Sequence, residues 1–246
     1  MSPRVQLFIT CLAEQFYPNV LEKMVGILER LGVECQFTQA QTCCGQPFYT
    51  SGFHSKAVKL TQNWLSTFGQ GDDPIVAPSG SCVDMVRHHY PDLFPAGTLE
   101  HAQAEALAQR TFEFTEYLVH VLKVTDVGAF FPHKVAYHPA CHGLRGLGLR
   151  TEAEQLLRAV RGLELLPLND AETCCGFGGV FSVIYPEVSR AMMQNKVQNI
   201  IASGAEVLVS GDTGCLMNMG GGLWKAGSPI RARHIVEVLA ETGETP

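Results

Sequence analysis

At 246 residues, with 46% apolar and only 17% charged side chains, the chain can bury a substantial core as one large domain or two small ones. A net charge of −6, with no block of lysine and arginine, excludes a nucleic-acid footprint. No stretch approaches the ~20 apolar residues a spanning helix needs, and Met1 to Cys11 lacks the apolar run and cleavage site of a secretory signal. The expected location is cytoplasmic, where clustered cysteines are metal ligands or redox groups rather than disulfides.

In chain order, Val5–Thr10 (VQLFIT) is a short continuous apolar run, as in a strand buried on both faces, with Cys11 at its end. Val20, Met24, Ile27, Leu28 and Leu31 recur at helical spacing, and Gly32 is a helix stop. Val33–Thr38 reads as a second strand and Thr42–Gly52 (TCCGQPFYTSG) as a loop rich in turn formers. Ser55–Phe68 is a helix, and Pro74–Pro78 (PIVAP) is a third strand leading into Ser79–Cys82. Tyr90 to Pro132 bridges to a second half, with helical character over His101–Arg110 and Thr111–Val121.

The second half repeats the plan. Val135–Tyr137 is a strand running into His138-Pro139-Ala140-Cys141-His142-Gly143. Glu152–Val160 is a helix and Leu163–Leu168 a strand. Cys174–Phe181 (CCGFGGVF) is a loop before a long helix over Pro186–Ser203. Glu206–Ser210 is a strand ending at Gly211–Cys215, Gly220–Gly222 a turn, and Ile230–Glu241 a closing helix. The expected fold class is α/β: two tandem pseudo-repeated α/β units, residues 1–125 with the connecting helices and residues 126–246, each a short parallel sheet flanked by helices.

The cysteines carry the repeat. Thr42-Cys43-Cys44-Gly45 returns as Thr173-Cys174-Cys175-Gly176. Cys11 to Cys141 is a step of 130, Cys43 to Cys174 one of 131, and Cys82 to Cys215 one of 133. Eight of the nine cysteines join this pattern; Cys35 has no counterpart and reads as a buried thiol. Each half then brings four thiols together, at the carboxyl ends of strands where open parallel sheets gather ligands. Thiolates favour iron–sulfur clusters, zinc or copper(I), and four meet the ligand count of a [4Fe–4S] or [2Fe–2S] cluster. Short Cys-x-x-Cys knuckles typical of structural zinc are missing. Consecutive cysteines diverge and so suit different irons of an extended cluster, with Gly45 and Gly176 free to take positive φ. The Gly178-Gly179 and Gly220–Gly222 strings match no phosphate-loop pattern.

These motifs resemble the CCG-domain (cysteine-rich) family of iron–sulfur oxidoreductases. The chain is similar to the cysteine-rich subunit of heterodisulfide reductase and to the iron–sulfur subunit of glycolate oxidase. TCCGQPFYTSG, YHPACHGLRGLG and DTGCLMNMGGGL look most like the lactate utilization protein A group. The resemblance implies that Cys11, Cys43, Cys44 and Cys82, and then Cys141, Cys174, Cys175 and Cys215, hold two [4Fe–4S] clusters, cubane or non-cubane, with zinc as the alternative. It implies an electron-transfer subunit of a complex that oxidises L-lactate to pyruvate, working with a ferredoxin-like Fe–S subunit and a third subunit. The alternatives are a thiol–disulfide redox subunit like that of heterodisulfide reductase, a glycolate oxidase Fe–S subunit, or a zinc-stabilised scaffold without catalysis. One departure stands out: the family's fifth cysteine in each half is replaced, by Ser79 and Asp212, either of which offers an oxygen ligand. If a small 2-hydroxy acid binds this chain, it needs a cation for its carboxylate and a base for its hydroxyl; His138, His142 and Arg145 are the candidate catalytic residues nearest a ligand cysteine.

Overall fold

The computed structural model describes residues 2–243. Four strands form the first sheet: β1 (Arg4–Leu7), β2 (Glu34–Gln36), β3 (Ile75–Ala77) and β4 (Thr111–Glu113). The second holds β5 (Lys134–His138), β6 (Glu164–Leu166), β7 (Val207–Ser210) and β8 (Arg231–His234). Both sheets are wholly parallel, ordered β2-β1-β3-β4 and β6-β5-β7-β8, so the α/β repeat expected from the sequence is present. β3 and β7 are buried along their whole length, which accounts for their unbroken apolar runs.

Four local expectations are corrected. Thr111–Val121 is not one helix: Thr111, Phe112 and Glu113 pair with Ile75, Val76 and Ala77 as an edge strand, and only then does the chain coil, through Phe114–Glu116 and Tyr117–Val121. The closing segment divides in the same way into β8 and the helix Ile235–Ala240. In both, a β-strand precedes an N-cap whose capping box starts the helix: Glu113 with Glu116, and His234 with Glu237. Gly220–Gly222 is not a turn but lies inside the helix Thr213–Lys225. A side chain at Gly222 would run into Met193 and Val197, so the glycine lets this helix approach Pro186–Ala202 closely. Finally, β1 stops at Leu7, short of Thr10, because the Gln41 side chain takes over the ladder: it accepts from Ile9 N at 2.8 Å and donates to Leu7 O at 2.7 Å.

The two halves are not independently packed. One apolar cluster draws Val5, Val20, Met24 and Ile27 from the first and Val135, Leu156, Val207 and Ile235 from the second. The helix Ile235–Ala240 packs on Pro18–Arg30, and its counterpart Phe114–Glu116 packs on Glu152–Ala159. This reciprocal exchange is what a pseudo-two-fold axis between the halves requires. Two smaller clusters flank the shared core, one around Trp64, Phe68 and Cys44, the other around Cys175, Cys215 and Met219. No described helix is long and apolar enough to cross a membrane.

Glu113 is 4% exposed, and its Oε2 accepts from Thr115 N at 2.7 Å, from the Thr115 hydroxyl and from Glu116 N, while Oε1 has no partner among the described residues. Burial outweighs those donors and pushes the carboxyl up to about 7. An acid raised in the fold binds more protons folded than unfolded, so stability falls as pH rises from about 4.5 to about 7 and then levels, at a cost of about 3 kcal/mol. Glu113→Gln keeps an acceptor for the cap and removes that slope; chemical denaturation at pH 5 and pH 8 is expected to give nearly equal midpoints for the variant and a lower midpoint at pH 8 for the parent.

Candidate functional site: eight thiols on one cavity

Both sheets have their topological switch beside the first strand of the half, between β1 and β3 and between β5 and β7. In open parallel sheets the crevice beyond the carboxyl ends at such a point is the ligand site. Cys11 follows β1 and Cys82 follows β3, so the two straddle the first switch; Cys141 and Cys215 straddle the second. The adjacent pairs arrive on the loops after β2 and β6.

The eight thiols do not occupy two separate faces. All of them line one cavity of about 350 Å³, formed between the halves. Within each half the sulfurs form a chain. Cys11 Sγ donates to Cys43 Sγ at 3.5 Å, and Cys44 lies between Cys43 and Cys82. In the second half Cys174 lies between Cys141 and Cys175, and Cys175 Sγ donates to Cys215 Sγ at 3.2 Å. Cys44, Cys82, Cys175 and Cys215 are buried, and the other four are half-buried against the cavity. Cys35 pairs with Val5 on β2 and does not reach it.

The backbone makes this geometry local. Gly45 (φ 82°) and Gly176 (φ 87°) are left-handed, which turns the chain sharply after each cysteine pair. The turn aims amides at sulfur: Gly176 N donates to Cys174 Sγ at 3.4 Å and Phe177 N to Cys175 Sγ at 3.5 Å. Each pair is also held from behind, Cys44 O by the Tyr90 hydroxyl at 2.9 Å and Cys175 O by Asn218 Nδ2 at 2.8 Å.

Four thiols at this spacing cannot all ionise by themselves. Hydrogen bonds from Cys11 and Cys44 pull Cys43 down to about 3, and hydrogen bonds from Cys141 and Cys175 pull Cys174 down to about 2. Their donors are driven the opposite way: Cys11, Cys44, Cys141 and Cys175 are all raised, by those same hydrogen bonds first. The hydrogen bonds thus favour the thiolate at Cys43 in one half and at Cys174 in the other, at the expense of their donors. Full deprotonation needs a cation in the middle, and soft sulfur selects iron or zinc. The donor set therefore fits a thiolate-bound metal centre in each half.

Ser79 and Asp212, the two positions that break the cysteine repeat, meet across the halves. Asp212 Oδ2 accepts from Ser79 Oγ at 3.3 Å and from Ser81 N at 3.2 Å, while Oδ1 accepts from Gly214 N at 3.1 Å and so caps the helix Thr213–Lys225. Both residues line the cavity.

The three candidate catalytic residues part company. His142 lines the cavity, and Asp84 Oδ2 accepts from its Nδ1 at 2.5 Å; Asp84 Oδ1 takes His88 Nδ1 at 2.7 Å. The Asp84 hydrogen bond raises the His142 imidazole and opposes its burial. Arg145 is exposed, donates to Glu172 O at 2.8 Å, and is not among the lining residues. His138 is 1% exposed and sits behind Cys175 and Cys215. Burial, then the nearby Lys196 cation, lowers it to about 4, so the ring is neutral.

Two residues that matter here are not evident from the sequence. Asp84 lies two residues after Cys82 but looks like any helix carboxylate; only the fold brings His142 to it. Lys196 is 2% exposed, and its ammonium donates to Ala171 O at 3.0 Å and to Asp170 O. Its signal is present in the repeat: Trp64, in the first half's corresponding helix, stands 132 positions earlier, within the cysteine offsets.

The family description "Cysteine-rich domain" (CCG) matches residues 5–87 and again 135–220. A protein from Exiguobacterium sp. named "Lactate utilization protein A" is 50% identical over 240 residues, covering 97% of this chain and 98% of that one. Proteins of the same name from Geobacillus thermodenitrificans and Halalkalibacterium halodurans are 45% and 44% identical, covering 96% of this chain and 98% and 96% of their own lengths. Among solved structures, a hypothetical protein from Helicobacter pylori superposes with a TM-score of 0.63 at 10% identity, over 99% of this chain and 49% of that chain. That likeness concerns the fold alone, and the chain spans about half the length of that protein.

Proposed function

The chain belongs to the CCG cysteine-rich domain family, in its lactate utilization protein A group, and from this we propose that it is the iron–sulfur electron-transfer subunit of a complex that oxidises L-lactate to pyruvate. One observation carries the reading: two complete thiol quartets open on a single cavity. An iron–sulfur centre in each quartet would supply one-electron storage, and lactate oxidation releases two electrons and two protons.

The protein's own groups divide the remaining work. Gly176 and Phe177 amides offset negative charge on sulfur, and the buried Lys196 adds a cation beside the second quartet. Asp212 and Ser79 lock the halves at the cavity wall, fixing the separation of the quartets. Asp84 orients His142 so that its Nδ1 is occupied and the rest of the ring faces the cavity.

The lining holds no lysine or arginine among the described residues, and its one carboxylate, Asp212, repels an anion. A lactate carboxylate therefore finds a poor seat here. The reading assigns oxidation of the 2-hydroxy acid to a partner and electron passage to this chain, with a ferredoxin-like subunit and a third subunit as the partners. The apolar cavity between two redox sites also favours a second reading, reduction of a small disulfide held between the quartets.

Purification without oxygen, with iron, sulfide and zinc analysis, tests the centre itself: about eight irons per chain are expected if each quartet holds a four-iron cluster. Stoichiometric zinc with no visible absorbance would instead make the chain a scaffold. Reconstitution with its partners, assayed with L-lactate and separately with a mixed disulfide, then distinguishes the two redox readings.

A further inference from the structure

The two halves differ behind their cysteines. Three residues before Cys11 stands Phe8, fully buried and packed edge-on against Trp64 at 5.6 Å. Three residues before Cys141 stands His138, and the counterpart of Trp64 is Lys196. An aromatic pair in one half is thus a histidine and a lysine in the other.

His138 is built as a ligand is built. Its Nδ1 lies 3.2 Å from Ala171 O. A carbonyl only accepts, so Nδ1 carries the proton and Nε2 holds the lone pair. The Ala171 carbonyl is itself fixed by Lys196 Nζ at 3.0 Å. Histidines that bind metal through one nitrogen characteristically donate the other N–H to a backbone carbonyl, which sets tautomer and ring direction. Among the described residues Nε2 is buried with no hydrogen-bond partner, an arrangement that costs free energy if nothing fills it. The neighbours of the ring are sulfurs: a His138 ring nitrogen, Cys175 Sγ and Cys215 Sγ all lie within 4.8 Å of one another. With Nδ1 committed to Ala171, Nε2 is the nitrogen left to act beside them. That spacing suits ligands of one metal ion or of adjacent irons.

We infer that His138 Nε2 is a nitrogen ligand of the metal centre in the second quartet, standing in for the thiolate that Asp212 does not supply. This rests on the iron–sulfur reading above. Asp212 is committed to Ser79, Ser81 and Gly214, whereas Nε2 is free. The first quartet has no equivalent, since Phe8 has no donor atom. The two centres are therefore chemically distinct. A neutral imidazole in place of a thiolate raises a cluster's reduction potential, so the second centre is more readily reduced than it would be with a fifth thiolate.

The test is spectroscopic and needs no substrate. Protein prepared without oxygen from cells fed histidine carrying nitrogen-15 is reduced, and pulsed electron paramagnetic resonance is recorded. A histidine nitrogen coupled to the cluster spin is expected, changing with the isotope, retained in His142→Phe and lost in His138→Phe, which installs the first half's own residue. In His138→Cys, which restores a thiolate, the midpoint of one centre is expected to fall and the other to stay. Iron-loaded parent protein without histidine coupling, or coupling that survives His138→Phe, overturns the inference and leaves the iron–sulfur reading standing. Protein with no iron and sulfide removes both.

Discussion

Cys175→Ser is expected to lower bound iron to about half and leave the remaining cluster intact. Cys44→Ser is expected to do the same from the other side, and the double variant to bind almost none. The argument is one of partition. Every sulfur that neighbours Cys44 or Cys175 belongs to its own half. The cavity is shared, but the quartets are not. Both residues are the most buried thiols of their sets, at 3% and 2% exposure, and each sits between two other sulfurs. Serine there offers a hard oxygen with a much higher proton affinity, so one iron position loses its anchor. Metal binding is coupled to local folding, so the emptied half should also lose thermal stability. Cys35→Ser serves as the control, because Cys35 lies on β2 away from the cavity and should leave iron unchanged. If Cys175→Ser removed all the iron, the eight thiols would be holding one joint centre, and the reading of two would fall.

Much of this arrangement is legible in the chain because it is written twice. Thiol spacing repeated at offsets of 130 to 133 defines the quartets before any contact is known, and short apolar runs ending at cysteines place them at strand ends. What stays hidden depends on how the halves meet. Nothing local says that Asp212 reaches Ser79, or that Asp84 of one half holds His142 of the other. The common cavity is hidden for that reason: the repeat is readable, but the side on which the two halves face each other is not. The edge strands β4 and β8 are hidden differently. Each is short, and each runs straight into a helix whose periodicity masks it. Arg145 shows the limit of sequence proximity as a guide, since four residues from Cys141 it already faces solvent.

Gly176→Ala is expected to cost about twice as much as Gly45→Ala, although the two glycines occupy the same place in the repeat. Both have φ above 80°, so either alanine bears the left-handed penalty of roughly 1–2 kcal/mol. At Gly45 the atoms nearest the added methyl belong to Leu60 and Ala57, at 3.5 Å or beyond, which is ordinary contact. At Gly176 it would lie 2.6 Å from Ser189 O, 3.1 Å from Met192 Cβ and 3.2 Å from Met193 N. Two of these are backbone atoms of the helix Pro186–Ala202 and cannot swing away. The site is also pinned, because the Ser189 hydroxyl donates back to Gly176 O at 2.7 Å. Overpacking of this kind adds about 1–3 kcal/mol. For a chain of this size each kcal/mol shifts the midpoint by about 2–4 °C, so Gly45→Ala should lower Tm by about 5 °C and Gly176→Ala by about 10 °C. Differential scanning calorimetry of the two variants, with iron content measured in parallel, checks both parts. Iron loss confined to Gly176→Ala would show that the turn itself positions Cys174 and Cys175, and equal Tm shifts for the two would refute the close contact with Ser189.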